Sequence, residues 1–419
     1  MCKDQRTRIN RRLFLKSTGM ALVACGGFLP DAFVRMASAS STRNGKVLVT
    51  IFLRGAVDGL SVVVPYAEKT YNTARPSIAI PRPGKGGGAL DLDGFFGFHP
   101  ALDPIHPLYA NRSIAVVHAA GSPHPSRSHF DAQDFMEAGT PGVKTTRDGF
   151  LSRALGEPGM NDSQLRAVSL TPTIPRILSG RSNALAMRDI TQFGVRAGRS
   201  TDTVSESFEA MYANAVDESL SSSASDSFEA IRAMKAADPS RIRPDNGAQY
   251  PRGELGDSLR QIAQLIRSGV GLEVAFAEAG GWDTHANQGS SDGLLARLLG
   301  SYARAVSAFV TDLGSKMSNV VIVTMSEFGR TVRENGNRGT DHGHGNVMFV
   351  LGGGVKGGKV YGTWPGLDER HLFEGRDLEV TTDFRDVMGE VLAKHAGVTR
   401  LETVFPGHAN ARSNWVGLI

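Results

Sequence analysis

The sequence predicts an α/β protein with a mainly parallel sheet covered by helices on both faces. Three observations predict it. Short β-branched runs recur along the chain, stretches of helical spacing flank several of them, and each run closes in a polar, glycine-containing turn. Strands buried on both faces read as continuous apolar runs rather than alternating ones, because neither face meets water.

The elements follow in order. Lys46-Val-Leu-Val-Thr-Ile-Phe-Leu53 is the first strand and closes at Arg54-Gly55. Ser113-Ile-Ala-Val-Val-His118 is the second, and Leu272-Glu-Val-Ala-Phe-Ala277 is the third, followed by Gly280-Gly281. Asn319-Val-Val-Ile-Val-Thr-Met325 is the fourth, and Val347-Met-Phe-Val-Leu351 the fifth, ahead of three glycines. Helical spacing precedes the third strand from Leu255 to Ile266 and follows it from Leu294 to Leu313. From about Gly139 to Pro251 the chain is polar, rich in Ser and Asp around Ser219–Ser227, and poor in strand signals. That stretch reads as an inserted or covering region of a single domain over residues 40–419. No internal repeat is evident.

The first 39 residues carry a different signal. Arg11-Arg12 stand just before an apolar run from Leu13 to about Leu29, and Ala37-Ser38-Ala39 offers small residues to a signal peptidase. This predicts a twin-arginine signal peptide cleaved after Ala39, with the twin-arginine translocase as partner during export to the periplasm or beyond. Two other fates stay open for the same segment. It could persist as an amphipathic anchor, or Leu22-Val23-Ala24-Cys25 could serve as a lipoprotein box, and only lipidation of Cys25 would bring the mature chain to a membrane.

Removal of this segment changes the charge. The whole chain has a formal net charge of +4, yet residues 1–39 hold seven Lys/Arg and two Asp/Glu, leaving 39 basic and 40 acidic residues. A near-neutral mature chain gives no electrostatic case for nucleic acid. Both cysteines, Cys2 and Cys25, lie in the signal, so the exported chain is held by its core and not by disulfides.

Chemistry-bearing residues gather after the strands, where open α/β sheets place their sites. The turns carry Asp58, then Ser126, Ser128 and His129, then Asp283 and His285, then Glu327, then Asp341, His342 and His344. Four of only eleven histidines fall there. Carboxylates supply charge and neutral imidazole supplies borderline-soft nitrogen, a mixture that favours Zn or Mn over Ca. Each member has an ordinary alternative: Asp283 as a helix cap, Asp58 as a turn former, Ser326-Glu327 as a helix start, Asp341-His-Gly-His344 as a surface loop. The set carries the expectation of a divalent-metal site.

Several blocks in this order resemble the domain of unknown function 1501 family of exported bacterial proteins. They are Phe52-Leu-Arg-Gly-Ala-Val-Asp-Gly59, Phe98-His-Pro100, Ser128-His-Phe-Asp-Ala-Gln-Asp134, Gly280-Gly-Trp-Asp-Thr-His285, Ser326-Glu-Phe-Gly-Arg330 and Thr340-Asp-His-Gly-His344. Gly352-Gly-Gly-Val-Lys-Gly-Gly-Lys-Val-Tyr-Gly362 and Asp383-Phe-Arg385 match as well. The resemblance implies a three-layer alkaline phosphatase-like fold, with one or two divalent ions near a nucleophilic hydroxyl. It implies Asp58, Asp283, His285, Glu327 and His342 or His344 as metal ligands, beside Asp341, which the Asp341-His-Gly-His344 motif itself offers as a ligand. Ser128, or else Ser126, would be the nucleophile, with Arg127 steadying an anionic ester at a helix N-terminus.

Two departures qualify the resemblance. The superfamily often places Asp-His after the penultimate strand, where this chain has Glu327-Phe328. The formylglycine sulfatase frame fits Pro125 and Arg127 but puts Pro123 at the modified position, which excludes that activity. The leading expectation is an exported metal-dependent hydrolase of phosphate or related esters, with an anionic ester as substrate. A non-catalytic module that binds or scaffolds envelope polymers is the alternative, and a purely structural metal is a third.

Overall fold

A computed structural model of the chain describes residues 45–157, 163–180, 182–193 and 218–419, with the backbone alone for 218–224. The chain divides after Ala39, and every described residue lies in the unit Ser40–Ile419. The paired arginines, the apolar run, Cys25 and the cleavage position therefore lie outside the described residues.

The five expected strands form. They are β1 (Val47–Leu53), β5 (Ile114–Gly121), β8 (Val274–Ala279), β9 (Val320–Met325) and β10 (Asn346–Gly352); the other strands are β2 (Val63–Val64), β3 (Leu90–Asp91), β4 (Gly97–Phe98), β6 (Ala167–Ser169), β7 (Leu185–Ala186), β11 (Lys359–Tyr361) and β12 (Thr382–Asp383). The main sheet has nine strands in the order β11-β5-β10-β9-β1-β8-β6-β7, with β12 also on β5. All its pairings are parallel except those of β10, which runs antiparallel to both β5 and β9. The region from Gly139 to Pro251, which showed few strand signals, supplies β6 and β7, three and two residues long. Strands that short carry no readable period.

Helices cover both faces. The longer ones are α1 (His129–Ala138), α2 (Glu218–Ala237), α3 (Glu254–Ser268), α4 (Leu294–Leu313) and α5 (Phe384–Val391). All seven residues of β1 are buried, and alternate side chains enter opposite cores. Val49 and Ile51 pack in the cluster that includes Leu259, Ile262, Tyr302 and Phe309 from α3 and α4. Leu48 and Phe52 pack in the cluster that includes Met136, Phe384 and Val391 from α1 and α5. Each such side chain contributes roughly 1.5–3 kcal/mol on burial, which explains why the strand is apolar at both parities. The result is three layers, helix–sheet–helix.

This topology assembles the site. The carboxyl ends of β1, β8 and β9 lie side by side, and β5, separated from β9 by one antiparallel strand, points the same way. Because β10 runs the other way, the loop that leads into it, Thr340–Gly345, returns to the same edge. Every turn singled out in the sequence thus meets at one end of the sheet. A small three-stranded sheet, β2-β4-β3, sits after β1.

Candidate metal centre

Three side chains from different turns meet at this edge: His129, Asp283 and His342, each offering a ligand atom within 4.8 Å of the others. His129 Nε2 lies 3.0 Å from His342 Nε2, and Asp283 Oδ1 lies 3.2 Å from the same nitrogen. His285 adjoins two of them, with its Nε2 2.9 Å from His342 Nε2 and 3.0 Å from Asp283 Oδ1. The cluster faces solvent on one side, since the side chains of Asp283 and His285 are 45% and 42% exposed.

Local structure explains how each group gets there. His129 is the first residue of α1, and the exposed Ser128 caps that helix by accepting from the Asp131 N–H at 3.5 Å. Gly55 has a φ of +114°, and a Cβ there would stand 2.8 Å from the Asp283 backbone nitrogen, so glycine lets the β1 and β8 turns press together. Gly343 serves the neighbouring loop, where a Cβ would fall 2.4 Å from the Arg330 carbonyl carbon. Arg330, fully buried, ties the turns to one another. Its guanidinium donates to the carbonyls of Gly55, Ala56, Trp282 and Thr340 and, at 2.6 Å, to Asp283 Oδ1.

The outer nitrogens of the three imidazoles are all engaged. His129 Nδ1 donates to Glu327 Oε1 at 2.7 Å, His285 Nδ1 to Asp341 Oδ1 at 3.1 Å, and His342 Nδ1 to the Arg127 carbonyl at 2.8 Å. A carbonyl or carboxylate can only accept, so in each neutral ring Nε2 is the bare nitrogen. Two further lone pairs and a carboxylate oxygen therefore crowd His342 Nε2 at 2.9–3.2 Å, and His129 Nε2 lies 3.5 Å from Asp283 Oδ2. A shared proton or a divalent cation satisfies that arrangement. Donors at about 2.0–2.1 Å from a tetrahedral zinc stand roughly 3.3 Å apart, so the spacing fits an ion with little movement. Outer partners that fix imidazole tautomers are the usual accompaniment of metal-binding histidines.

Electrostatics agree with this layout. Burial alone would raise Asp283, but the hydrogen bond and charge of Arg330 hold its carboxyl below the usual range. Glu327 is likewise held low, its burial outweighed by the bonds it accepts from His129, Gln133 and the Gly55 N–H. The hydrogen bond to Glu327 raises His129, whereas burial lowers His342 and favours its neutral form.

Other expected site residues sit elsewhere. Asp58 is not a cluster member: it is fully buried in an ion pair with Arg75 at 2.6 Å. His344 is turned away and stacks on the ring of Phe373 at 4.2 Å. Glu327 reaches the cluster only through His129, and Asp341 only through His285. The Arg127 guanidinium is committed to Asp377 and Glu374, so its backbone, not its charge, touches the site. Ser126 Oγ accepts from the Ser128 N–H at 3.3 Å, and both hydroxyls shape the entry to α1. His129 stood among the post-strand histidines without a ligand role, and Arg330, Arg75 and Gln133 were not singled out. The family block Ser326–Arg330 already contained Arg330.

Fold and site together define an α/β protein with a partly solvent-facing histidine–carboxylate centre at the carboxyl ends of its sheet. The chain belongs to the family described as "Protein of unknown function (DUF1501)", whose model matches residues 114–405. No curated protein matches it. Among solved structures it is similar to Ps i-CgsB in complex with k-i-k-neocarrahexaose, at 12% identity and a TM-score of 0.40, over 87% of this chain and 75% of that one. It is also similar to the zinc complex of the C-terminal periplasmic domain of EcEptC from Escherichia coli, at 12% identity and a TM-score of 0.38, over 90% and 91% of the two chains. A third is the PsFucS1 sulfatase from Pseudoalteromonas sp., at 11% identity and a TM-score of 0.35, over 91% and 77%. Among the described residues no helix is long and apolar enough to cross a membrane.

Proposed function

We propose that the protein is a metal-dependent hydrolase of phosphate or related esters that acts outside the cytoplasm. The observation that carries this reading is the convergence of the bare Nε2 atoms of His129 and His342 with Asp283 beside solvent, with His285 adjoining and each ring fixed from behind. Export is proposed on the Arg11-Arg12 segment. A divalent ion held by His129, Asp283, His342 and His285, with Zn or Mn favoured by the donor set, would act as a Lewis acid on an ester and make hydroxide available near neutral pH.

The chain's own residues supply position. Glu327 sets the tautomer and angle of His129, Asp341 those of His285, and Arg330 fixes the Asp283 carboxylate. Arg376 and Arg127 both stand beside the centre on Asp377, and Arg376, the more exposed of the two, would receive an anionic ester. It is anchored beside the centre through the His342 carbonyl and Asp377, and its side chain is 46% exposed. Metal analysis of the purified protein, followed by phosphomonoester, phosphodiester and sulfate-ester assays, tests the reading. Stoichiometric metal and turnover that disappears in Asp283→Ala are expected; metal-free protein, or turnover untouched by that change, would overturn it.

A second reading, a non-catalytic module for envelope polymers, is favoured by one observation: the Arg127 guanidinium beside the Ser126 and Ser128 hydroxyls is taken up by Asp377 and Glu374. Glycan binding by metal-loaded protein with no turnover on any ester would favour it.

A further inference from the structure

We infer that the centre holds one divalent ion, and that the Asp58 end of the strand-end array is a permanently neutralised ion pair and not a second ion position. The inference rests on the metal-site reading above. Asp58 Oδ2 accepts from Arg75 Nη1 at 2.6 Å and from Gln288 Nε2 at 2.7 Å, and Oδ1 accepts from Arg75 Nη2 at 3.0 Å. Neither side chain is exposed.

The guanidinium is equally committed. Its other three N–H groups donate to Ser61 Oγ, the Thr331 carbonyl and the Val332 carbonyl, each at 2.9 Å, so all five donors are used. Gln288 cannot turn away either, because its Oε1 accepts from both Thr284 and Thr340. An ion at Asp58 would have to displace Arg75 and leave a buried cation without a partner.

Among the described residues one group alone brings three ligand atoms together. Glu327 Oε1 already accepts from His129, Gln133 and the Gly55 N–H. The atoms that face one another at the centre are the Nε2 atoms of His129 and His342 and the Asp283 carboxylate, with His285 Nε2 against two of them, one ion's complement. The Asp58 carboxylate is neutralised by the buried guanidinium of Arg75, a cation that is part of the chain and is not removable by chelator.

Metal content and location decide the matter. The full chain is loaded with excess Zn or Mn, freed of unbound ion by gel filtration, assayed for metal per chain, and crystallised for anomalous diffraction. One ion per chain, beside His129 and His342, is expected. The double variant Asp58→Asn, Arg75→Met, which removes both charges of the pair, should keep one ion. Two ions in the native chain, the second on Asp58, would overturn this inference and leave the hydrolase reading standing. Loss of the ion in the double variant would also overturn it, provided circular dichroism shows that variant folded. No stoichiometric metal at all would overturn both.

Discussion

The turns after β1 and β8 each place an aspartate against a buried arginine, yet they end in opposite states. Asp58 meets Arg75 with both oxygens inside the protein, whereas Asp283 gives one oxygen to Arg330 and stays 45% exposed among imidazoles. The difference lies in what the arginine spends its hydrogen bonds on. Arg75 puts two of five donors on its carboxylate, and Arg330 puts most of its donors on carbonyls. A carboxylate that is fully paired stabilises; one that is only anchored keeps charge to offer a ligand.

The largest test of that contrast removes the sealed partner. Asp58→Ala leaves Arg75 buried and unpaired and should cost about 3–5 kcal/mol in urea unfolding, without changing metal affinity in whatever fraction stays folded. A loss below 1 kcal/mol, or a lost ion, would erase the distinction.

A second test carries the contrast to imidazoles. Burial pushes His118 down from 6.5 to about 4, and its Nε2 donates to the Val63 carbonyl. Between those two values the unfolded chain takes up a proton that the folded chain refuses, so stability falls as the pH drops from 6.5 and levels off below 4. The loss should reach about 3 kcal/mol. His118→Gln should flatten that window of the unfolding curve; an unchanged slope would show that His118 is not its source.

Third, Glu327→Gln should weaken metal binding by about 10–100-fold with the fold intact, because the carboxylate that steadies His129 is lost. Competition with a chromogenic chelator reads this out, and unchanged affinity would make Glu327 a mere neighbour. The smallest effect belongs to Asp341→Asn. Its carboxylate is 57% exposed and holds His285 at 3.1 Å, so the loss should be no more than about tenfold. A larger loss than for Glu327 would invert the ranking of buried over exposed partners.

Much of this was legible in the chain. The five main strands, and the gathering of Asp283, His285 and His342 at their ends, follow from apolar runs that close in polar turns, a purely local pattern. Asp58 was misjudged because its partner, Arg75, lies 17 residues further on and in none of the recognised blocks. Glu327 was expected to ligate, and its actual partner His129 is 198 residues away, placed by the start of α1 and not by any spacing. His344 shares a motif with His342, and in a regular extended chain two residues two apart face the same side, but the chain bends at His344. The stacking on Phe373 settles which ring faces the centre.

Arg330 has one more consequence. Four of its acceptors are main-chain carbonyls, drawn from the turn after β1, the turn after β8 and the loop before β10. The gaps between these turns are thereby set by a cross-brace that no cation supplies. With the loops braced in this way, capture of an ion would need little further loss of chain freedom. The centre would then receive an ion as a socket cast with the protein, where zinc-finger modules need the metal itself to fold.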